Sequence, residues 1–264
     1  MNSVEAAATG GEVRYHRVDG RAIAFRHLPG RGPTLVFLPG YLSDMSGSKA
    51  TALLAWAGAR GQACLLLDYS GCGASGGAFA GGTLGRWRDE VVGLIESLAP
   101  GPVLPVGSSM GGWLMLLVAL ALPSERLAGL VGIAAAPDFT EWGYDAGQKT
   151  QLSAGATVLE ENPYGPEPTP THAQFWSDGQ RRLLLGGTIA IDAPVRLLHG
   201  QQDRDVPWEI ALRLAQALRS ADVQVTLIKD GDHRLSREAD IAVLLRILAS
   251  LIEDTEYASP AARP

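Results

Sequence analysis

Apolar and polar positions change rhythm several times along this chain. From Val13 to about His27 they alternate in two runs on either side of Asp19-Gly20. A period of two, broken by a pair of residues that tolerate positive φ, predicts a β-hairpin. Apolar runs read as buried strands follow at Thr34–Leu38, Ala63–Leu67 and Leu127–Ala135, with another ahead of residue 107, and further strands are read at Val195–Leu198 and Val223–Ile228. Between them lie stretches with helical spacing, near Ser48–Arg60, Thr83–Leu98 and Trp208–Leu218. A last helix, about Ser236 to Ile252, places Ile241, Leu244, Leu245, Leu248, Leu251 and Ile252 on one face. Strands apolar on both sides, alternating with helices, predict an α/β fold with a mostly parallel central sheet and helices on both faces.

The alternation fails from about Pro137 to Asp192. Within it Asn162-Pro163-Tyr164-Gly165-Pro166-Glu167-Pro168-Thr169-Pro170 disfavours regular structure locally. So long an irregular stretch, carrying Trp142, Tyr144, Tyr164, Phe175 and Trp176, is expected to form a lid over a pocket. The predicted organisation is a flexible leader at 1–11, one α/β domain at 12–255 with the lid inserted at about 137–192, and a flexible tail at 256–264.

One junction carries chemistry. Val103-Leu104-Pro105-Val106 runs into Gly107-Ser108-Ser109-Met110-Gly111, and an apolar helical run follows at once. Strand, sharp turn and helix around G-x-S-x-G make a nucleophile elbow, with Ser109 at the tip and glycines where side chains would collide. In a parallel sheet, functional groups collect at the carboxyl ends of the strands. Two later loops leave such ends: His199-Gly200-Gln201-Gln202-Asp203, and Asp230-Gly231-Asp232-His233. Serine, acid and histidine thus occur in the chain order of a hydrolase triad, Ser109, Asp203 and His233. His233 is the candidate base, and Asp203 the group that would hold its tautomer. The N–H groups of Met110 and of Tyr41, after Pro39-Gly40, are the candidate oxyanion donors. Leu42, Trp113, Trp142 and Trp176 are expected to line the substrate site.

Alternatives stand beside these residues. Ser108 adjoins the nucleophile position, Asp205 follows Asp203 by two residues, and His199 ends a strand at the same rim. Asp232 is read as a loop-stabilising carboxylate; His16, His27 and His172 are read as surface or hydrogen-bonded histidines. Gly71-Cys72-Gly73-Ala74-Ser75-Gly76 follows a strand as a dinucleotide fingerprint would. More glycines delay the helix beyond the motif, however, so a glycine-rich crossover loop is the expected structure.

Composition narrows the partners. A net charge of −6 without any basic run argues against nucleic acid or an anionic membrane surface. The longest apolar run, about Trp113 to Leu122, is too short to span a bilayer. Two cysteines, Cys64 and Cys72, make no disulfide framework. With no signal or transit pattern in the first dozen residues, a cytoplasmic setting is expected. Only three lysines against many arginines is the usage expected of a GC-rich bacterial genome. No cofactor or metal site is expected, because no His, Cys and carboxylate spacing suits one.

These residues carry a resemblance. Pro39-Gly40-Tyr41-Leu42-Ser43-Asp44-Met45-Ser46-Gly47-Ser48-Lys49-Ala50, Asp68-Tyr69-Ser70-Gly71, Thr83-Leu84-Gly85-Arg86-Trp87, the elbow through Gly112-Trp113-Leu114-Met115-Leu116, Arg196 to Gly200 through Asp203 to Val206-Pro207-Trp208, and Asp232-His233-Arg234 are the stretches concerned. Together they resemble the branch of the α/β-hydrolases that holds the mitochondrial palmitoyl-protein thioesterase, also described as a mycophenolic acid acyl-glucuronide esterase. The resemblance runs from about Val36 to Leu248 and leaves out the lid. It implies an α/β-hydrolase fold, with that family's serine, acid and histidine on Ser109, Asp203 and His233. It also implies a small-molecule or acylated-protein ester or thioester as substrate. Two other readings are a hydrolase of small esters, lactones or xenobiotic esters, and a ligand-binding protein that keeps the fold without turnover.

Overall fold

A computed structural model describes residues 11–162 and 165–258, with side chains beyond residue 254 left aside. The predicted hairpin is β1 (Arg14–Val18) and β2 (Arg21–Leu28), turning through Asp19 and Gly20 at φ of 47° and 79°. The strands β3 (Arg31–Leu38), β4 (Gln62–Leu67), β5 (Val103–Ser108), β6 (Leu130–Ile133), β9 (Val195–Gly200) and β10 (Val223–Ile228) complete an eight-stranded sheet. Its order is β1-β2-β4-β3-β5-β6-β9-β10. All pairs from β4 to β10 are parallel; only β1 and β2 run antiparallel to their neighbours.

Strand periodicity explains why the central strands β3 and β4 carry apolar residues on both faces. Val36, Leu38, Leu65 and Leu67 face one core, while Leu35, Phe37, Cys64 and Leu66 face the other. The first core is roofed by α2 (Leu84–Leu98), α3 (Met110–Ala121) and α7 (Glu209–Ala217); the second by α1 (Ser48–Arg60) and α8 (Glu238–Ala258). Helix α1 has the bounds expected from its spacing, and Thr83 caps α2 by accepting the Arg86 N–H at 3.2 Å. Both cysteines are free and buried. Among the described residues no helix is long and apolar enough to cross a membrane.

Several expectations are corrected. β3 begins at Arg31 rather than Thr34, and β6 is shorter than 127–135: Leu127 makes only an isolated bridge to Val103, and Ala134 at φ 44° turns the chain out of the strand. α8 continues to Ala258, into the expected tail; the leader falls mostly outside the described residues. The lid is more regular than its prolines suggested. It holds α4 (Phe139–Trp142), α5 (Ala146–Ser153), a two-stranded ribbon of β7 (Val158–Glu160) and β8 (Thr169–Thr171), and α6 (Ala173–Gln180). Pro170 sits in β8 opposite Leu159, tolerated because a two-stranded ribbon has free edges. Tyr164 lies outside the described residues. Buried carboxylates fasten the lid: Asp138 accepts the N–H groups of Leu184 and Leu185 at 2.8 and 2.7 Å, and Asp178 accepts that of Gly85 on α2 at 2.8 Å.

The glycine-rich segment after β4 is a crossover loop, as expected. Asp68 accepts the N–H groups of Met45 and Ala74, while Gly71 and Gly76 donate to the carbonyls of Gly76 and Ala22. The loop's named N–H groups are taken up by the loop itself and by β2, and α2 begins only at Leu84.

Candidate active site

Register brings the strand ends level. Leu38 pairs with Gly107, Ser108 with Ile133, Ile133 with Leu198, and Gly200 with Ile228. The loops after β3, β5, β9 and β10 therefore open onto one rim.

Ser109 stands between β5 and α3 at φ 55° and ψ −121°, a conformation costly for any residue with a side chain. Neighbouring glycines make the turn possible. A β-carbon on Gly111 would lie 2.0 Å from the Leu38 carbonyl oxygen, and one on Gly107 would lie 2.2 Å from that of Gly111. Both would meet main chain, which cannot swing aside. Gly111→Ala is expected to cost about 3 kcal/mol or more, read as a lowered midpoint of denaturant unfolding.

Ser109 Oγ lies 3.0 Å from Nε2 of His233, and Nδ1 of His233 lies 2.8 Å from Oδ2 of Asp203. The three residues predicted from distant parts of the sequence form one hydrogen-bonded series. The Asp203 side chain has no exposed surface, whereas His233 keeps 14% of its own. Oδ1 of Asp203 accepts the N–H groups of Asp205 and Val206 at 2.9 and 2.8 Å. Burial alone would raise the Asp203 pKa. Donation from His199 and His233, the His233 charge and the Val206 N–H outweigh it and hold the carboxyl well below the usual carboxylate range. The sign follows from linkage: this stability is full above the ordinary carboxylate pKa and is lost only as pH falls through the lower folded value.

Sequence reasoning ranked His199 as an alternative base, and the structure gives it a different place. It is wholly buried, with Nε2 3.0 Å from the same Asp203 Oδ2 and 3.1 Å from the Val206 carbonyl oxygen. Its four-residue spacing from Asp203 across a strand end was the available signal. Asp232 accepts the Leu235 N–H at 3.0 Å, as a loop-stabilising carboxylate would. Asp205 and Ser108 line the cleft but stand outside the series; His16, His27 and His172 do not line it.

The cleft encloses about 640 Å³, within the usual range of small-molecule sites. Tyr41, Met110, Leu42, Phe139, Trp142 and Val206 line it around Ser109 and His233. Met110 opens α3, so its N–H has no carbonyl within the helix. Among the described residues neither that N–H nor the Tyr41 N–H has a backbone acceptor. Tyr41 is anchored from its far end, its hydroxyl donating to the Pro170 carbonyl at 2.9 Å and its ring packed against Phe79, Phe139 and Phe175.

Two expected lining residues are elsewhere. Trp113 is fully buried in the core, its ring edge-on to Phe139 at 5.8 Å, because α3 is enclosed on nearly every side. Trp176 lies on the lid's outer groove with Leu152 and Ala173, and its Nε1 donates to the Thr140 carbonyl at 3.0 Å. Leu42 and Trp142 do face the cleft. Lys49 also lines it, donating to the carbonyl of Arg234, the residue after His233. Burial, first, and the Arg234 charge lower the Lys49 pKa to about 8.

Comparison with known proteins bears on the family and the fold. The model of the alpha/beta hydrolase family matches residues 35–245. Human mitochondrial palmitoyl-protein thioesterase ABHD10 is 37% identical over 247 residues, covering 90% of this chain and 79% of that protein. The structure of mouse alpha/beta hydrolase domain-containing protein 10 matches with a TM-score of 0.86 and 35% identity, over 92% of this chain and 99% of that one. A crystal structure of a protein from Agrobacterium vitis S4 matches with a TM-score of 0.85 and 36% identity, over 91% and 99%. The mammalian relative is named mitochondrial, which runs against the cytoplasmic setting expected above.

Proposed function

The chain belongs to the alpha/beta hydrolase family, and from that premise we propose that it is a serine hydrolase cleaving carboxylic esters and thioesters through an acyl-enzyme at Ser109. The observation that supports this most is the unbroken series from Ser109 Oγ through His233 to Asp203, with contacts of 3.0 and 2.8 Å. His233 Nε2 takes the serine proton as Oγ attacks the carbonyl carbon. Asp203 keeps the remaining proton on Nδ1 and stabilises the imidazolium. The Tyr41 and Met110 N–H groups receive the tetrahedral oxyanion, each worth about 2.7–4 kcal/mol if lost. His233 returns its proton to the leaving group, and water then releases the acid by the same route.

Thioesters suit this site because a thiol leaves with a pKa near 8.5, far below the roughly 16 of water. The human relative is named a palmitoyl-protein thioesterase, and the apolar wall of Leu42, Met110, Phe139, Trp142 and Val206 suits an acyl chain. Lys49, Glu160, Glu161 and Asn162 on the same cleft favour the second reading, a smaller polar ester.

A chain-length series separates the two. Buried methylenes contribute about 0.8 kcal/mol each, or about fourfold in kcat/KM. With p-nitrophenyl esters from acetyl to palmitoyl, and with palmitoyl-CoA, kcat/KM is expected to climb with chain length. Hydrolysis confined to the shortest esters would select the small-ester reading.

A further inference from the structure

One buried imidazole has no part in the mechanism above. His199, in β9 opposite Leu227 of β10, directs Nε2 at two atoms: Asp203 Oδ2 at 3.0 Å and the Val206 carbonyl oxygen at 3.1 Å. A carbonyl oxygen and a carboxylate can only accept, so this nitrogen must carry the proton and share it between them. The other nitrogen, Nδ1, is buried and has no hydrogen-bond partner among the described residues. A proton there would be an orphaned donor on a buried cation, far costlier than an unshared lone pair. His199 is thereby confined to the neutral Nε2–H form.

The consequence falls on Asp203. Its Oδ2 takes an imidazole N–H from each side, His199 at 3.0 Å and His233 at 2.8 Å, while Oδ1 is occupied by two main-chain N–H groups. Remove His199, and Oδ2 loses one of its two restraints, so its aim at His233 loosens within the anchoring of Oδ1 while its whole acceptor strength goes to that one imidazole. We propose that His199 is a positioning residue for the reaction: it fixes the shared carboxylate oxygen in line with His233 Nδ1 and limits how strongly that oxygen holds the imidazolium. This rests on the serine-hydrolase reading above. The surroundings add little competing charge. The flanking strands β6 and β10 carry no ionisable side chain, Arg196 on β9 is paired with Asp222, and Glu209 and Arg213 on α7 are exposed. The same two loops carry Arg204, Asp205, Asp232 and Arg234, all exposed.

The test pairs two variants with a spectrum of the wild type. His199→Phe fills the space without a donor. It is expected to lower kcat about 10- to 100-fold with KM unchanged. The acid limb of kcat/KM should also move to higher pH, by roughly half a unit to one unit, because the imidazolium is held harder. His199→Gln places an amide N–H near the lost Nε2–H and should return most of kcat and the original limb. In the wild type, histidine ¹⁵N spectra should show residue 199 as the Nε2–H tautomer at neutral pH. A folded His199→Phe enzyme whose acid limb stays put overturns the proposal, whatever its kcat, because a merely structural role gives that result. So does a spectrum with the Nδ1–H tautomer or an imidazolium, which decides the matter even if His199→Phe does not fold. A wild type inert to a fluorophosphonate fails the hydrolase reading and takes this proposal with it; a reactive wild type with an unmoved limb fails this proposal alone.

Discussion

Ser109→Ala is expected to lower kcat by about 10⁶-fold, the scale on which serine triads lose activity with their nucleophile. That is about 8 kcal/mol of transition-state stabilisation. Little of it should appear as instability. Alanine keeps the β-carbon, so the strained backbone at φ 55° gains no new contact, and the hydrogen bond lost to His233 is partly open to solvent. Steady-state kinetics beside a melting curve would show near-complete loss of turnover with the transition almost in place. Ser108→Ala should keep turnover, because Ser108 makes no hydrogen bond to His233 or Asp203. Activity surviving in Ser109→Ala would move the chemistry to another group.

Asp203→Asn is expected to cost about 10⁴-fold in kcat, and here stability falls as well. All the contacts on the carboxylate are donors: two imidazole N–H groups on Oδ2 and two main-chain N–H groups on Oδ1. An amide has one acceptor oxygen, so whichever way it turns, its NH₂ faces two donors. Turned toward the imidazoles, it drives His233 to the tautomer with its proton on Nε2, useless as a base toward Ser109. Turned toward the main chain, it strands the Asp205 and Val206 N–H groups, at about 1–3 kcal/mol for each that is left buried and unpaired. Kinetics together with denaturant unfolding would register both losses. A variant with kcat within about tenfold of wild type would show that Asp203 does not set the tautomer.

Most of this architecture was legible because strand and helix rhythms reflect burial directly. A strand covered on both faces is buried at every position, which is why the apolar runs of β4 and β5 stood out; β10, at the sheet edge, is only half-buried and keeps Gln224 and Thr226. Helix α1 was legible from its spacing, and Gly61, which takes φ 63°, closes it. The Ser109, Asp203 and His233 positions followed from topology: in a parallel sheet each lies just past a strand's carboxyl end. What could not be read concerns orientation within crowded surroundings. In α3, residues Met110 to Ala119 are all buried, so no polar stripe marked which side faced the cleft, and Trp113 was placed there wrongly. The lid was misjudged for a different reason. Its prolines spoke against order, yet Asp145 and Gln148 form a capping box that opens α5, a signal present three residues apart in the sequence. Trp176 was misplaced with it, since its direction depends on how α6 folds back against Thr140. His199 was underrated because its four-residue spacing from Asp203 marks nearness only, and not that two imidazoles share one carboxylate oxygen.

The most direct measurement is the mapped site of covalent labelling. The protein is treated with a fluorophosphonate, its mass determined intact, and the adduct located by peptide sequencing. A single adduct on Ser109 is expected, absent from Ser109→Ala and retained in Ser108→Ala. An adduct that persists in Ser109→Ala, or that maps to Ser108, would contradict the account.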